Sequence, residues 1–270
     1  MSFSDDPLPD LDTLGRDLLA TSWPRRTFVL AAPLLSSALF VASATFGQPI
    51  LCVVATGLVT FFTYGTASHD LVHRALGLSR GTNEILLSVI ELLALRSGHV
   101  YRLVHLHHHR HLSDPTDIEG AAAHAPSWWR AVLAGPAYMP RLWVWAWRHG
   151  NRRDRRWIAI ESLIIVAFWG AALITYPATP APAAYAVLVT MGAWAFPLLL
   201  VYLQHDPSGS TPLSATRAYR GRVIPALLLE HTYHLEHHLY PAVPGHRWRE
   251  LSRRLDPYLN RAGVNVIRIP

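Results

Sequence analysis

The chain has no lysine, a single cysteine and long stretches without any charge. All 24 of its basic residues are arginine, a bias from which no function follows. Cys52 has no second thiol to pair with, which excludes an internal disulfide and argues against a cysteine-ligated metal. Charge is absent from residues 27–46, 50–68 and 162–204. A 270-residue chain that is 51% hydrophobic and carries such runs is expected to form one membrane-embedded domain.

The uncharged runs predict four membrane-spanning helices in two hairpins. A helix of about 20 residues is about 30 Å long, which matches the hydrocarbon core of a bilayer. Residues 47–49 (GQP) break the first run, and the prolines of 177–182 divide the long run 162–204. The predicted spans are 27–46, 50–68, 157–176 and 184–203. The predicted fold is therefore an all-α integral membrane protein, with two transmembrane hairpins and a helical cap.

The remaining segments are polar. Residues 1–26 form an acidic tail, residues 27–270 form the membrane domain, and the cap comprises 69–156 and 205–270. Within the cap, the apolar segment 84–95 has Glu84 and Glu91 seven residues apart, which favours a helix lying at the membrane interface. A secretory signal peptide at the start is the rival interpretation, but the apolar run resumes too soon to leave a soluble domain for export.

The positions of the arginines predict the orientation. Three precede the first hairpin, twelve lie between the hairpins and nine follow the second, whereas neither hairpin tip has one. By the positive-inside rule, both termini and the cap are cytosolic, and we expect a bacterial inner membrane. This distribution accounts for the net charge of +6 without nucleic-acid binding. Both hairpins leave and return on the cytosolic face, so the cap segments are expected to meet there.

Histidine is concentrated in three short segments of the cap. Residues three or four apart share one face of a helix, and neutral imidazole binds iron, zinc, copper and manganese. The eight histidines at this spacing are His69, His73, His105, His108, His109, His234, His237 and His238. Eight ligands are too many for one metal but fit two metals close together. The carboxylates that can accept hydrogen bonds from the second ring nitrogens are Asp70, Asp114, Asp117, Glu119 and Glu236.

The order of these motifs resembles that of the membrane fatty acid desaturase superfamily, which includes carotenoid hydroxylases and ketolases. The motifs here are HDLVH at 69–73, HLHHH at 105–109 and HLEHH at 234–238. The flanking sequences RHLSDP and LYPAVP agree with the family, and the resemblance covers about residues 27–250. Three motifs in order, interleaved with two hairpins, are far more specific than one HxxxH pair.

The resemblance implies a di-iron site that activates dioxygen with two electrons and removes hydrogen from an unactivated C–H bond of a lipid. The electrons would come from a separate ferredoxin or cytochrome, because the chain has no haem, flavin or iron–sulphur motif of its own. The resemblance also implies a histidine ligand after the last span, and His205 fits that position. Some members have an asparagine ligand where this chain has Val201, so His231 or a water is the candidate to complete the coordination.

The predicted activity is desaturation of a fatty acyl chain, and oxidation of a carotenoid remains the alternative. A haem protein would need histidines inside the spans, and a zinc hydrolase would carry an HExxH motif; neither is present. A metal transporter would place polar ligands at the bilayer midplane, where the spans offer only Glu161 near one end. The other histidines, expected off the ligand face or at ordinary surface positions, are His99, His107, His111, His124, His149 and His246.

Overall fold

The computed structural model describes residues 8–112 and 114–270, and these residues are mostly helical. The α-helices are α1 Leu11–Leu14, α2 Trp23–Thr45, α3 Pro49–Phe62, α4 His69–Val72, α5 Arg80–Leu93, α6 Gly98–Arg110, α7 Trp128–Leu133, α8 Gly135–His149, α9 Arg152–Thr175, α10 Ala181–Gly192, α11 Pro212–Ala215, α12 Val223–Leu227, α13 His234–Leu239 and α14 Trp248–Arg261. Short 3₁₀ turns cover Arg16–Leu19, Gly120–His124, Ala193–Ala195 and Gly245–Arg247. Two π-helical turns cover Thr63–Ser68 and Pro197–Tyr202.

Four helical stretches are long and apolar enough to cross a membrane, which confirms the predicted architecture. They are Arg16–Thr45, Pro49–Val72, Arg152–Thr175 and Ala181–Tyr202. Helix α9 begins five residues before the predicted span, because Asn151 caps it by accepting hydrogen bonds from the N–H groups of Arg153 and Asp154. Leu163 and Val166 on this helix are exposed, as expected for side chains that face lipid.

The N-terminal segment packs against the C-terminal helix. Residues 1–7 of the predicted tail lie outside the described residues. Leu14 and Leu18 are buried in a cluster with leucines of α14. Arg254 donates hydrogen bonds to the Asp17 carboxylate at 2.7 and 2.8 Å and to the Leu14 carbonyl at 2.6 Å. These contacts hold the start of the described chain beside α14. The predicted boundary at residue 26 stays a prediction.

The segment 84–95 directs its charged residues inward, and its position at the membrane interface stays a prediction. It belongs to α5, which forms a hairpin with α6 inside the bundle, and the Leu93 carbonyl at its turn accepts a hydrogen bond from Tyr185 of α10. Glu84 and Glu91 are buried, whereas Ile85 on the opposite face is 56% exposed. The charged face therefore turns inward. The seven-residue spacing identifies a face of the helix but not the direction in which that face points.

Each hairpin ends in a π-helical turn shortly before a histidine. The turn Thr63–Ser68 leads directly into α4 and His69, and the turn Pro197–Tyr202 ends three residues before His205. Pro197 has no N–H to donate, which favours the departure from α-helical hydrogen bonding. Such turns widen the helix and occur often at functional sites. Here they set the direction in which His69 and His205 leave the spans.

A small sheet completes the cap and was not predicted from the sequence. Strands β1 Ala218–Arg220 and β2 Val266–Arg268 pair in parallel, with Ala218 opposite Val266. Strands of three residues are too short for an alternating pattern to be recognised. Next to β1, an isolated antiparallel bridge joins His205 to Thr216. The bridge fixes the backbone of His205 at the end of the fourth span.

Candidate metal centre

The three histidine segments and His205 meet at one end of the helical bundle and form two groups. Each group offers four ligand atoms that all lie within 4.8 Å of one another. Site A consists of His69, His73, His105 and His237. Site B consists of His108, His205, His234 and His238. His109 belongs to neither group of four, but its Nε2 lies 2.7 Å from Nε2 of His237 and 3.3 Å from Nε2 of His105.

Helical geometry divides the second and third sequence motifs between the two sites, whereas His69 and His73 of the first motif both belong to site A. Neighbouring residues on a helix point about 100° apart, whereas residues four apart point almost the same way. On α6, His105 therefore faces site A and His108 faces site B. On α13, His234 and His238 face site B, and His237 faces site A. One motif thus contributes to both sites, which brings the sites side by side.

The distances between the ring nitrogens of site B are explained better by a shared cation than by hydrogen bonds among the rings. The Nε2 atoms of His205, His234 and His238 form a triangle with sides of 3.0, 3.2 and 3.3 Å. Three such atoms cannot all be joined by hydrogen bonds, because at least two of them are both donors or both acceptors. Nitrogens bound about 2.1 Å from one metal at tetrahedral or right angles lie roughly 3.0–3.4 Å apart. The triangle therefore has the dimensions of a metal ligand set.

Hydrogen bonds on the opposite ring nitrogens direct the lone pairs into the centre. Nδ1 of His205 donates to the Val201 carbonyl at 2.9 Å, because a carbonyl can only accept. Nδ1 of His108 lies 2.7 Å from the Asp117 carboxylate, and Nδ1 of His105 lies 3.1 Å from Glu119. A proton held at Nδ1 leaves Nε2 free to bind a metal.

Site A contains a buried ring nitrogen without a protein partner. Among the described residues, His73 Nε2 has no hydrogen-bond partner. The His73 ring lies 4.8–5.0 Å from the rings of its neighbours at site A. An unpartnered nitrogen in a buried cluster of imidazoles is costly unless a cation binds it. This donor set fits a metal such as iron that accepts imidazole.

Burial keeps most of these rings neutral, as metal ligands must be. It lowers the pKa of His205 to about 3. Burial, reinforced by neighbouring imidazoles, also lowers the pKa of six further histidines outside the spans. These are His73, His105, His109, His234, His237 and His238. At His108, burial also favours the neutral ring, but the hydrogen bond and charge of Asp117 outweigh it and raise the pKa.

The structure places the predicted carboxylates in different environments. Asp117 and Glu119 lie beside histidine rings, and burial raises the pKa of Glu119 to about 7. Asp70 accepts the Gly245 N–H at 3.0 Å, and its nearer oxygen is 3.9 Å from His69 Nδ1. Asp114 is exposed and bonds Thr116, whereas buried Glu236 pairs with Arg220 at 2.7 Å.

Two aromatic residues next to the site were missed from the sequence. Trp248 is 1% exposed, and its ring lies 5.1 Å from the His69 ring and 5.0 Å from the His237 ring. Tyr64 donates a hydrogen bond to Glu119 at 2.7 Å and lines the small cavity at the histidines. The leucines of α14 at 251, 255 and 259 share the buried face with Trp248. That helical period is the sequence signal that could have identified Trp248 as buried.

His99 is not at the surface, so its predicted position is wrong. The ring is completely buried, with Nε2 2.9 Å from Glu84 and Nδ1 2.8 Å from Glu161. It stacks on Trp157 at 4.6 Å with the ring planes 6° apart. The two carboxylates come from α5 and α9, so this histidine connects three helices. It has a partner on each nitrogen and lies outside both histidine sites.

The remaining single histidines lie outside both sites. His124 and His149 are exposed, and His246 is partly buried. His107 and His111 stack on each other at 3.9 Å, and His107 Nε2 bonds the Thr116 carbonyl. None of the five belongs to a group of four ligand atoms among the described residues.

An apolar cavity of about 430 Å³ lies between the two π-helical turns and reaches the histidines. Phe61, Phe196 and Leu199 contribute to its walls. This apolar cavity shares lining residues, including Gln204 and His231, with the small cavity at the metal sites. The His231 ring is 6.2 Å from the His69 ring, and burial lowers its pKa to about 3. The inner end of the apolar cavity therefore adjoins sites A and B.

The fold and the site define a class of protein: a bundle of apolar helices that carries two adjoining, buried four-histidine sites. The chain belongs to the fatty acid desaturase family, because the sequence model of that family, described as Fatty acid desaturase, matches residues 18–270. No curated protein matches the sequence. Family membership confirms the resemblance of the motifs. It makes the protein an integral membrane oxidoreductase with a site of the di-iron type.

Proposed function

We propose that the protein is a dioxygen-dependent di-iron desaturase of a fatty acyl chain. Sites A and B, side by side at the inner end of the apolar cavity, are the observation that carries this proposal. Two irons would be held by the histidines of sites A and B together with His109. When bound, they would supply the reduction of dioxygen and the removal of hydrogen from a C–H bond.

The protein's own groups orient the ligands and exclude water. Asp117, Glu119 and the Val201 carbonyl hold protons at Nδ1, which keeps Nε2 directed at the metals. Phe61, Phe196 and Leu199 surround the substrate with hydrocarbon and align its chain towards the sites. His231 lies at the junction of the two cavities and is a candidate for a further ligand or a contact to substrate.

The electrons would come from a separate ferredoxin or cytochrome on the cytosolic side. Twenty-one of the 24 arginines lie in the two segments that form the cap. Such a basic face complements the acidic surface of an electron-transfer partner. Turnover by the purified protein with NAD(P)H alone would contradict this part of the proposal.

The decisive experiment combines metal analysis with lipid analysis. We expect about two irons per chain in the purified wild type and their loss in the double variant His108→Ala, His109→Ala. The matched control is His124→Ala, His149→Ala, which removes two exposed histidines and should keep the iron. One zinc per chain, or full iron in the first variant, would overturn the di-iron assignment.

Lipid analysis then tests the substrate. Expression in a host that makes both acyl lipids and carotenoids should change the fatty acid profile in the wild type and leave it unchanged in His108→Ala, His109→Ala. A changed carotenoid profile with unchanged fatty acids would replace the acyl substrate with the carotenoid alternative.

A further inference from the structure

The apolar cavity is lined by four polar atoms that form no hydrogen bond with any described residue. Gln204 Oε1, His231 Nε2, Thr232 Oγ1 and Thr60 Oγ1 are buried without a hydrogen-bond partner. All four residues line the apolar cavity. Thr60, Gln204 and Thr232 are 7%, 6% and 4% exposed. These four groups line one cavity, where a partner that enters the cavity would satisfy them.

Three of these four groups lie beside the histidine sites. Gln204 and His231 line both the apolar cavity and the small cavity at the histidines, and His205 follows Gln204 directly in the chain. Thr232 is adjacent to His231. By contrast, Leu228 and Ile224 elsewhere in the lining are apolar. Gln204, His231 and Thr232 therefore lie at the end of the apolar cavity that adjoins the histidine sites, whereas Thr60 lines it farther from them.

Two glycines leave these atoms accessible. A Cβ at Gly65 would lie 2.9 Å from His231 Nε2, and a Cβ at Gly192 would lie 2.7 Å from Thr60 Oγ1. Both glycines line the apolar cavity. Any side chain at either position would crowd the polar atom it faces. The cavity is thus shaped around these atoms instead of covering them.

A plain methylene chain is a poor partner for this end of the cavity. It would displace water from the polar groups of Gln204, His231 and Thr232 and return no hydrogen bond to any of them. An oxygen atom on the substrate changes this balance. A hydroxyl can donate to Gln204 Oε1 and accept from Thr232, and a carbonyl can accept from the Thr232 hydroxyl or from a ring N–H of His231.

We propose that the substrate is a lipid that carries a hydroxyl or carbonyl oxygen close to the carbon that is oxidised, and that Gln204, Thr232 and His231 bind this oxygen. The inference rests on the proposed function and narrows its substrate class. The rest of the substrate is a hydrocarbon chain or ring that fills the apolar part of the cavity. Specificity follows from hydrogen bonding, because a site built for an oxygen rejects the analogue that lacks it.

The test measures binding of matched probes to the full-length protein in lipid nanodiscs. The probes are hexadecane, hexadecan-8-ol and hexadecan-8-one, and the readout is the ligand concentration that half-saturates the thermal stabilisation. We expect the oxygenated probes to bind roughly two- to tenfold more tightly than hexadecane for each hydrogen bond gained. Gln204→Leu and Thr232→Val should each reduce this preference without weakening the binding of hexadecane.

Tyr219→Phe is the matched control within the same cavity. The Tyr219 hydroxyl already donates to the Leu203 carbonyl at 2.6 Å, so its removal should leave the preference for oxygen unchanged. Thr232→Val nearly preserves the shape of the side chain, so it carries the test if Gln204→Leu fails to fold. Equal binding of all three probes to the wild type, or an undiminished preference in both variants, would overturn the inference.

Failure of this inference and failure of the proposed function are distinguishable. A wild type that holds two irons and desaturates acyl lipids, but binds the three probes equally, overturns the inference alone. A preference for oxygenated probes in a protein that holds no iron overturns the proposed function and leaves the cavity assignment standing.

Discussion

Two aspartates that are only three residues apart show how single residues acquire different roles. Asp117 is 6% exposed and lies 2.7 Å from His108 Nδ1. Asp114 is exposed and accepts hydrogen bonds from the Thr116 N–H and hydroxyl. Gly120 makes the difference possible, because a Cβ there would lie 2.1 Å from the Asp117 carboxylate. Only Asp117 is in a position to orient a metal ligand.

We therefore expect Asp117→Asn to weaken metal binding roughly 10- to 100-fold, the usual cost of losing a hydrogen bond behind a metal-bound histidine. Asparagine preserves the size of the side chain but loses the negative charge that holds the proton on His108 Nδ1. The measurement is the iron retained per chain against a graded series of a competing chelator. Asp114→Asn is the control and should retain iron like the wild type. Equal retention in both variants would show that Asp117 does not support the site.

The sequence identifies which histidines are candidate metal ligands, but it does not show how they divide between sites A and B. Helical spacing groups His105, His108 and His109, and the structure brings all three to one centre. Their assignment to site A or site B depends on the rotation of α6 about its axis, which the spacing leaves free. The choice between Asp114 and Asp117 depends in the same way on how the chain turns after α6. Both are decided by tertiary packing.

At the scale of elements, a buried ionic cluster holds α6 in place. His99 near the start of α6 lies between Glu84 of α5 and Glu161 of α9, and Ser88 and Ser97 also donate to Glu161. Arg102 of α6 extends the cluster, 2.8 Å from Asp154. Because α6 carries His105, His108 and His109, the cluster determines where three histidines lie.

Replacing His99 with phenylalanine should destabilise the protein by about 3–5 kcal/mol, because it keeps the stack on Trp157 but leaves two buried carboxylates without their shared partner. The measurements are the melting temperature in detergent and the iron content. His149→Phe is the matched control, since His149 is exposed and stacks on Trp145 in the same way. A melting temperature of His99→Phe equal to that of the control would contradict the role of the cluster.

This cluster explains why the charged face of α5 is buried. Glu84 and Glu161 are 15 and 62 residues from His99, respectively, so no local pattern joins the three. Taken alone, a charged residue in an apolar helix predicts contact with water. The structure instead buries the charged groups together, where each forms a hydrogen bond with another. Single polar residues in membrane segments are thus poorly assigned until their partners are known.

At the scale of the whole molecule, the spans were predictable because the bilayer fixes their length and forbids unpaired backbone groups. The uncharged runs therefore led to the four helical stretches of the structure. A cavity between the helices was expected for a lipid substrate, but its position was not predictable. The cavity lies between the π-helical turns at Thr63–Ser68 and Pro197–Tyr202, and no residue pattern predicts the position of such a turn.

The orientation of the whole molecule is the last prediction. Arginine is absent from both hairpin tips, so we expect the tips outside and the cap in the cytosol. Alkaline phosphatase, active only outside, should be active when fused after Gly47 or Ala178. It should be inactive after Gly150, which lies between the hairpins and is the internal control, or after Pro270. Phosphatase activity of the Gly150 fusion would show that the orientation is the opposite of the predicted one. It would also place the histidine sites away from cytosolic electron donors, because the spans Pro49–Val72 and Ala181–Tyr202 end at these sites.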